Sequence, residues 1–327
     1  MATAFLTGGT GFLGGHVARA LCAQGWTVRL LARDPDRARG GLLEGLPVRV
    51  EGGDLSDEDR LARQVEGVDA IVHVAGILKA RNLAAYRDVN VEATRRLLRA
   101  GRRAAPRAMW VHVSSQAAAG PARNGRPVAE GDASRPVSWY GLSKREGELA
   151  VAESWKGGWT VLRPGVVYGP GDRGLFVYFR MAAGGWVPVP AGRARIQLIG
   201  VERAALAVAR AAARPDLSGR TGFLCDPEPV SLAELAREIS ALPARPARVF
   251  SVPDSAVRLL GLGETVLEFF TRHSRPFNAD KAREVLAGDW LCDGEPMARD
   301  LALPGPRPLP VGLREAWDWY RAAGWLG

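Results

Sequence analysis

Through the first half of the chain, short apolar runs alternate with stretches whose hydrophobic positions recur at helical spacing. Ala2 to Thr7, Trp26 to Leu31, Val48 to Glu51, Ala70 to Val74, Met109 to Ser114 and Thr160 to Leu162 read as strands. Phe12 to Gln24, Tyr86 to Ala100 and Ser138 to Glu153 read as helices, and Asp57 with Glu58 starts another. The second of these places Val91, Leu97 and Leu98 inward and its arginines outward. Such alternation of β-branched runs and helical patterns is the signature of a parallel sheet covered on both faces. An α/β fold with a doubly wound parallel sheet is therefore expected, with short connections and neither a linker nor a repeat.

After Pro164 the texture changes. Gly-Pro-Gly turns, the stretch Trp186-Val-Pro-Val-Pro-Ala-Gly192 and short helical patterns replace the regular alternation. Glu202 to Ala213, Leu232 to Ala241 and Gly312 to Ala323 still read as helices, the last preceded by the stiff loop Leu303-Pro-Gly-Pro-Arg-Pro-Leu-Pro310. Residues 165–327 are expected to form a smaller, irregular α/β lid over the carboxyl edge of the sheet, with some segments returning to the core.

The 327 residues are 47% hydrophobic and 24% charged, which supplies a sizeable core and excludes wholesale disorder. No apolar run approaches the roughly 18 to 20 residues that span a bilayer. The opening Met1-Ala-Thr-Ala-Phe-Leu-Thr-Gly8 carries no basic leader, so neither secretion nor a membrane partner is expected. Cys22, Cys225 and Cys292 form no CxxC pair, which argues against a disulfide scaffold or zinc site and for a reducing cytoplasm. The net charge of +9 rests almost wholly on arginine, since Lys79, Lys144, Lys156 and Lys281 are the only lysines. No aromatic platform interleaves with the basic stretches at 33–39 and 95–107, so an anionic small molecule is a better partner than nucleic acid. His16, His73, His112 and His273 show no metal-ligand spacing, and no metal is expected. His73 and His112 fall inside strands and read as buried residues, whereas His16 lies on the first helix and His273 in a loop.

Two local patterns carry chemistry. Thr7-Gly-Gly-Thr-Gly-Phe-Leu-Gly14 places Gly8, Gly11 and Gly14 between the first strand and the first helix. A tight turn, close backbone approach to a pyrophosphate and close helix–strand packing all need glycine there, and the phosphates meet the positive helix terminus. This is the pattern of a dinucleotide site lined by Gly8, Thr10, Gly11, Phe12, Leu13 and Gly14. Gly53-Asp54-Leu55 after strand three offers a carboxylate to an adenine amine, and Val74-Ala75-Gly76 after strand four offers small residues against which a cofactor can lie. Strand two ends in Arg33, with Arg37 and Arg39 close behind. A guanidinium cannot accept bonds from an adenosine ribose but matches a 2′-phosphate in charge and shape. NADP(H) is therefore preferred and NAD(H) is the alternative; Asp34, the rival carboxylate, is expected to cap the helix opened by Pro35.

The second pattern lies at the end of strand five. Ser115 follows it directly, and Tyr140 and Lys144 stand four residues apart on one helix face. A lysine ammonium beside a tyrosine is expected to lower its pKa and make the phenol usable as a general acid or base, while the serine bonds the same substrate oxygen. Gln116 and Trp186 are the candidate substrate contacts, Trp186 because its Gly-Pro neighbourhood suits a pocket-lining loop. Most of the other tryptophans, among them Trp155, Trp290 and Trp317, are expected in the core.

Together with Val89-Asn90-Val91 and Leu162-Arg-Pro-Gly-Val-Val-Tyr-Gly-Pro-Gly171, these motifs resemble the extended short-chain dehydrogenases/reductases of the NAD(P)-dependent epimerase/dehydratase type. The resemblance covers roughly the first 170 residues in the family's order. It implies a Rossmann domain over 1–164 carrying the catalytic residues Ser115, Tyr140 and Lys144, and a mainly substrate-binding part over 165–327. Lys144 would also hold the nicotinamide ribose, the segment with Pro164 and Val166 would contact the nicotinamide, and Asn90 would serve a local or cofactor contact. Gln116 and Ala117 stand where 4,6-dehydratases carry an Asp-Glu pair, which argues against dehydration. Ala119 and Gly200-Val-Glu-Arg203 depart from the pattern of sugar-nucleotide epimerases. The expected activity is NADP(H)-dependent hydride transfer to or from a carbonyl or secondary alcohol. A nucleotide-sugar epimerase with retained NAD and a non-catalytic dinucleotide-binding protein are the alternatives. By the same resemblance, a homodimer is expected through the helices Tyr86–Ala100 and Ser138–Glu153.

Overall fold

The computed structural model describes residues 1–38, 41–192, 194–271 and 277–326. Six strands follow the predicted runs: β1 (Thr3–Thr7), β2 (Thr27–Ala32), β3 (Val48–Gly52), β4 (Ala70–His73), β5 (Met109–Val113) and β6 (Trp159–Pro164). All pair in parallel in the order β3-β2-β1-β4-β5-β6. The order reverses between β1 and β4, the crevice at which doubly wound sheets bind ligands beyond their carboxyl ends. A seventh strand, Arg220–Leu224, extends the sheet beyond β6. It lies outside the predicted set because Arg-Thr-Gly-Phe-Leu shows neither an apolar run nor alternation; the open edge of β6 makes it a strand.

Helices α1 (Phe12–Ala23), α2 (Pro35–Ala38), α3 (Glu58–Val65), α4 (Leu83–Arg87), α5 (Ala93–Ala104) and α6 (Trp139–Ser154) accompany these strands. The helix expected over Tyr86–Ala100 is in fact α4 and α5 joined by a π turn, Asp88–Glu92, which buries Asn90. In the second half follow α7 (Phe176–Ala183), α8 (Val201–Ala211), α9 (Leu232–Ser240), α10 (Asp254–Thr271) and α11 (Ala279–Val285). On one face of the sheet, Leu6, Leu30, Val72 and Val111 pack with Val17 and Leu21 of α1 and Ala204 and Val208 of α8. On the other, Phe5, Ile71 and Trp110 pack with Leu61, Leu97, Val151 and Trp155. Each fully buried side chain of this size stabilises the fold by about 1.5–3 kcal/mol.

Beyond the sheet, a separate apolar core gathers Phe179, Val187, Leu235, Ile239, Trp317 and Tyr320. Around it stand two small parallel pairs: β7 (Val166–Tyr168) with Leu198–Gly200, and β8 (Trp186–Pro190) with Arg248–Val252. The second half thus does two things: α8 and the strand Arg220–Leu224 complete the sheet, and the remainder builds a smaller α/β unit. The last helix, Leu309–Ala322, begins inside the proline-rich loop, since a proline is tolerated in the first turn. No helix of the described residues is long and apolar enough to cross a membrane.

Candidate active site

The glycine loop closes onto the end of β4. Gly8 has φ +75°, and a Cβ there would lie 2.6 Å from the Ala75 nitrogen. A Cβ at Gly14 would run into the Gly8 carbonyl, whose oxygen already accepts the Gly11 N–H at 3.0 Å. Side chains at these positions would fill the cradle, so the loop fits the close approach of a dinucleotide. Gly11 caps α1 without a side-chain bond, leaving its first N–H groups for an anion; Thr10 is exposed beside it, and Phe12 and Leu13 are half-buried in the first turn.

Behind the loop, Thr7 and His73 order the strand ends. The Thr7 hydroxyl meets His73 Nδ1 at 2.7 Å, and His73 Nε2 meets Thr94 Oγ1 at 2.9 Å. Because the Thr94 hydroxyl donates to the Asn90 carbonyl, the bonding pattern assigns the histidine proton to Nε2. Asn90 accepts the Ile77 N–H at 2.9 Å and donates to the Ile77 carbonyl and the Ser143 hydroxyl. Its amide clamps the Val74-Ala75-Gly76 loop to α6. A Cβ on Gly76 would sit 3.0 Å from Asn90 Oδ1 and 3.7 Å from Lys144 Nζ, so loop, clamp and lysine converge.

Ser115, Tyr140 and Lys144 meet at the carboxyl end of β5. Ser115 opens a 3₁₀ turn, Gln116–Ala118, and its hydroxyl accepts the Ala117 N–H at 3.1 Å. Ser138 caps α6 by accepting the Gly141 N–H at 3.0 Å, which starts the helix one residue before Tyr140. The Ser115 hydroxyl lies close enough to the Tyr140 phenol to act on its ionisation. Lys144 is buried and donates to the Val113 carbonyl at 2.7 Å. Burial pulls the Lys144 ammonium down to about 8, with Glu148 opposing. Tyr140 differs from expectation. Burial of the phenol pushes its pKa up, Glu284 and Tyr86 add to the rise, and only the Ser115 hydroxyl opposes it. No lowering by Lys144 acts on the phenol in this arrangement, in which the ammonium donates to the Val113 carbonyl. The phenol is accordingly held in its acid form.

Beneath the three residues lies a buried ion pair that sequence reasoning missed. Arg163 donates through Nε and Nη2 to Glu148 at 2.8 and 2.6 Å, with both side chains 2% exposed. Glu148 also accepts from Ser114 at 2.6 Å and Arg145 at 2.9 Å, and Arg163 reaches the Ser134 hydroxyl at 2.9 Å. The signal available was Glu148 one turn beyond Lys144 and an arginine inside an apolar strand. His112 sits in this region with neither ring nitrogen partnered among the described residues. Burial, then Lys144, holds it well below its ordinary value, while His73 is lowered to about 3 for the same reasons. Two further acids reach the start of α6 from α11. Asp280 accepts the Trp139 N–H at 2.9 Å, and Glu284 accepts from the Ser138 hydroxyl at 2.9 Å. No local pattern could have marked them.

The other expected site residues lie as follows. Asp54 is exposed, and bonds from the Ser56 hydroxyl and amide hold its carboxyl below the ordinary range, with Arg33 and Arg60 adding their pull. Arg33 is thus exposed beside Asp54 at the ends of β2 and β3, while Leu55 packs inward. The Arg37 side chain and all of Arg39 lie outside the described residues, as does His273. α2 begins at Pro35 directly after Asp34. Pro164 is buried at the end of β6, and the Val166 N–H donates to the Gln197 carbonyl at 3.1 Å. Gln116 is buried next to Ser115 and faces Gly165, its amide nitrogen without a partner among the described residues. Trp186 is not set with these residues. It is exposed at the start of β8, edge-on to Phe250 and beneath the Arg248 guanidinium, because the alternation of β8 turns Val187 and Val189 to the core and Trp186 away. The structure therefore corrects its assignment as a pocket-lining residue.

The model of the NAD dependent epimerase/dehydratase family matches residues 4–221. The chain belongs to that family. A ceramide reductase of Caulobacter vibrioides is 33% identical over 330 residues, covering 98% of this chain and 95% of that protein. A 4-hydroxy-2-methyl-3-oxo-4-farnesyl-3,4-dihydroquinoline-1-oxide ketoreductase of Stigmatella aurantiaca is 29% identical over 336 residues, covering 99% and 97%. Among solved structures, a dTDP-glucose 4,6-dehydratase from Streptomyces venezuelae with NAD and TYD bound shares the fold with a TM-score of 0.78. It is 22% identical and covers 99% of this chain and 98% of that one. This member of the epimerase/dehydratase family is an NAD(P)-dependent enzyme of the extended short-chain dehydrogenase/reductase type.

Proposed function

We propose that the protein is an NADP(H)-dependent reductase that converts a carbonyl of an apolar, amphiphilic small molecule to a secondary alcohol, and catalyses the reverse. The observation that carries this reading is the meeting of Ser115, Tyr140 and Lys144 beside the Gly76 loop at the crevice of the sheet. Gly8, Gly11 and Gly14 hold the pyrophosphate, Asp54 and Leu55 the adenine end, Val74 to Gly76, Pro164 and Val166 the nicotinamide end, and Lys144 the ribose. When bound, the nicotinamide supplies the hydride. Tyr140 donates its phenolic proton to the carbonyl oxygen, and Ser115 donates a hydrogen bond to the same oxygen. Gln116, beside Ser115, is a substrate contact in this reading. Support for the substrate class comes from the two named relatives, a ceramide reductase and a farnesyl-quinoline-oxide ketoreductase, and the second half is read as the part that selects it. Arg33 supports the choice of NADP(H), since its guanidinium stands exposed at the end of β2. The homodimer through α4 to α6 and a cytoplasmic location belong to the same reading.

The test is turnover of a long-chain ketone by wild-type protein and by Tyr140→Phe, with NADPH and NADH. Removing the hydroxyl should leave cofactor binding intact and lower turnover by roughly 10² or more; near-normal turnover would sink the mechanism. Arg33→Ala should lose about ten- to hundredfold of NADPH affinity, the worth of one charge-assisted contact, and little NADH affinity. Tighter NADH binding by wild type would overturn the cofactor assignment, and NAD carried through purification would point to an epimerase.

A further inference from the structure

The helix α10 turns apolar side chains to water. Leu259, Leu260 and Leu262 are 71%, 58% and 56% exposed, while Val257 and Gly261 face the protein. Ala256, Leu259, Leu260 and Gly263 recur at helical spacing as one outer stripe. The strand Arg248–Val252 leads into α10 through Pro253, and its Phe250, 43% exposed, stacks edge-on against the 57% exposed Trp186. From residue 245 to residue 264 the chain carries Arg245, Arg248 and Arg258, all exposed, against the exposed acid Asp254 and the half-buried Glu264. Large apolar side chains gathered on one face, flanked by tryptophan and arginine, match a helix lying in a bilayer interface.

The position of the stripe relates it to the site. The inner side of α10 packs on α11, where the Ala279 N–H donates to the Thr265 hydroxyl at 2.8 Å and Gly261 lies against Ala282. α11 in turn presents Asp280 and Glu284 to the start of α6, one and two residues before Tyr140. A surface held by α10 is therefore two packed helices from the proposed proton donor. We propose that the outer face of α10, flanked by Trp186 and Phe250, docks the enzyme on a lipid bilayer containing anionic headgroups, the source of its amphiphilic substrate. The leucines enter the acyl boundary while Arg245, Arg248 and Arg258 meet the headgroup charge. This revises the expectation of no membrane partner: a helix on the surface needs no spanning segment. Its purpose rests on the apolar-substrate reading of the previous subsection, but the binding itself does not.

The experiment is sedimentation of the full chain with vesicles of phosphatidylcholine alone or mixed with phosphatidylglycerol, without substrate or cofactor. Wild type should bind the mixed vesicles, weaken with added salt, and bind neutral ones less. Leu259→Ser/Leu260→Ser/Leu262→Ser should bind at least about tenfold more weakly, with an unchanged thermal melt and unchanged turnover of a short, water-soluble ketone. Trp186→Ala/Phe250→Ala should weaken binding in the same direction. Failure of wild type to bind mixed vesicles, or equal binding by the leucine variant, overturns the proposal. So does a wild-type oligomer that the leucine variant dissociates, since the face would then join copies of the chain. Vesicle binding without ketone reduction would count against the reductase reading alone, and reduction without vesicle binding against the docking face alone.

Discussion

Beneath α6 the protein buries Arg163, Glu148 and Lys144; on α10 it leaves Leu259, Leu260 and Leu262 in water. Each placement runs against the ordinary preference of its residue type. The difference lies in the partners. Every buried charge under α6 is met: Glu148 receives Arg163, Ser114 and Arg145, and Lys144 meets a carbonyl. Those bonds hold the end of β5 and the face of α6 in one arrangement, as the proposed role of Tyr140 as proton donor requires. The α10 stripe, by contrast, is left uncovered by the described chain. Buried polarity here serves geometry within the molecule, and exposed apolarity points outside it.

If that contrast holds, substitutions in the two regions should act very differently. The largest effect is expected at the ion pair: Glu148→Ala strands Arg163 in the core and should destabilise the protein by about 3–5 kcal/mol in urea titration. A loss below about 1 kcal/mol would mean that water or a new partner reaches Arg163. Glu148→Gln keeps the shape and should lie between wild type and Glu148→Ala.

Next comes the pH dependence contributed by Lys144. Its ammonium gives up its proton near 8 when folded and at the ordinary 10.5 when unfolded. Between those values the unfolded chain binds more protons, so this residue makes stability rise with pH, on the order of 3 kcal/mol across the window. Lys144→Met should lack that rise, measured as the difference between the two stability curves. A flat difference would place the folded pKa near its ordinary value. His73 acts in the acid range with the same sign: lowered to about 3, it makes stability fall as pH drops from 6.5 toward 3. The smallest effect is expected on α10, where Leu259→Ser, Leu260→Ser and Leu262→Ser should each change stability by less than about 0.5 kcal/mol. A loss of several kcal/mol at any of them would show that the stripe packs against the protein and would erase the contrast.

How much of this was legible depends on the distance over which each feature is determined. The glycines at 8, 11 and 14 and the Tyr140–Lys144 spacing are set within one turn or one helix, and the structure places them at the crevice together. The strand Arg220–Leu224 was not legible, because its pairing with β6 rather than its own pattern makes it a strand. The π turn at Asp88–Glu92 was hidden for a related reason: one added residue per turn barely disturbs the apolar spacing, yet it aims Asn90 at Ile77 and Ser143.

Local pattern therefore determined the parallel sheet, the glycine cradle and the identity of the serine, tyrosine and lysine, because dihedral freedom and helical period act between near neighbours. Tertiary structure alone decided that Glu148 pairs with Arg163, that Asp280 and Glu284 reach α6 from α11, and that Trp186 faces water instead of the site. It also decided that burial would raise the Tyr140 pKa, against the lowering its lysine neighbour led us to expect. Burial and pairing arise from segments far apart in the chain, and no local spacing encodes which of them will meet.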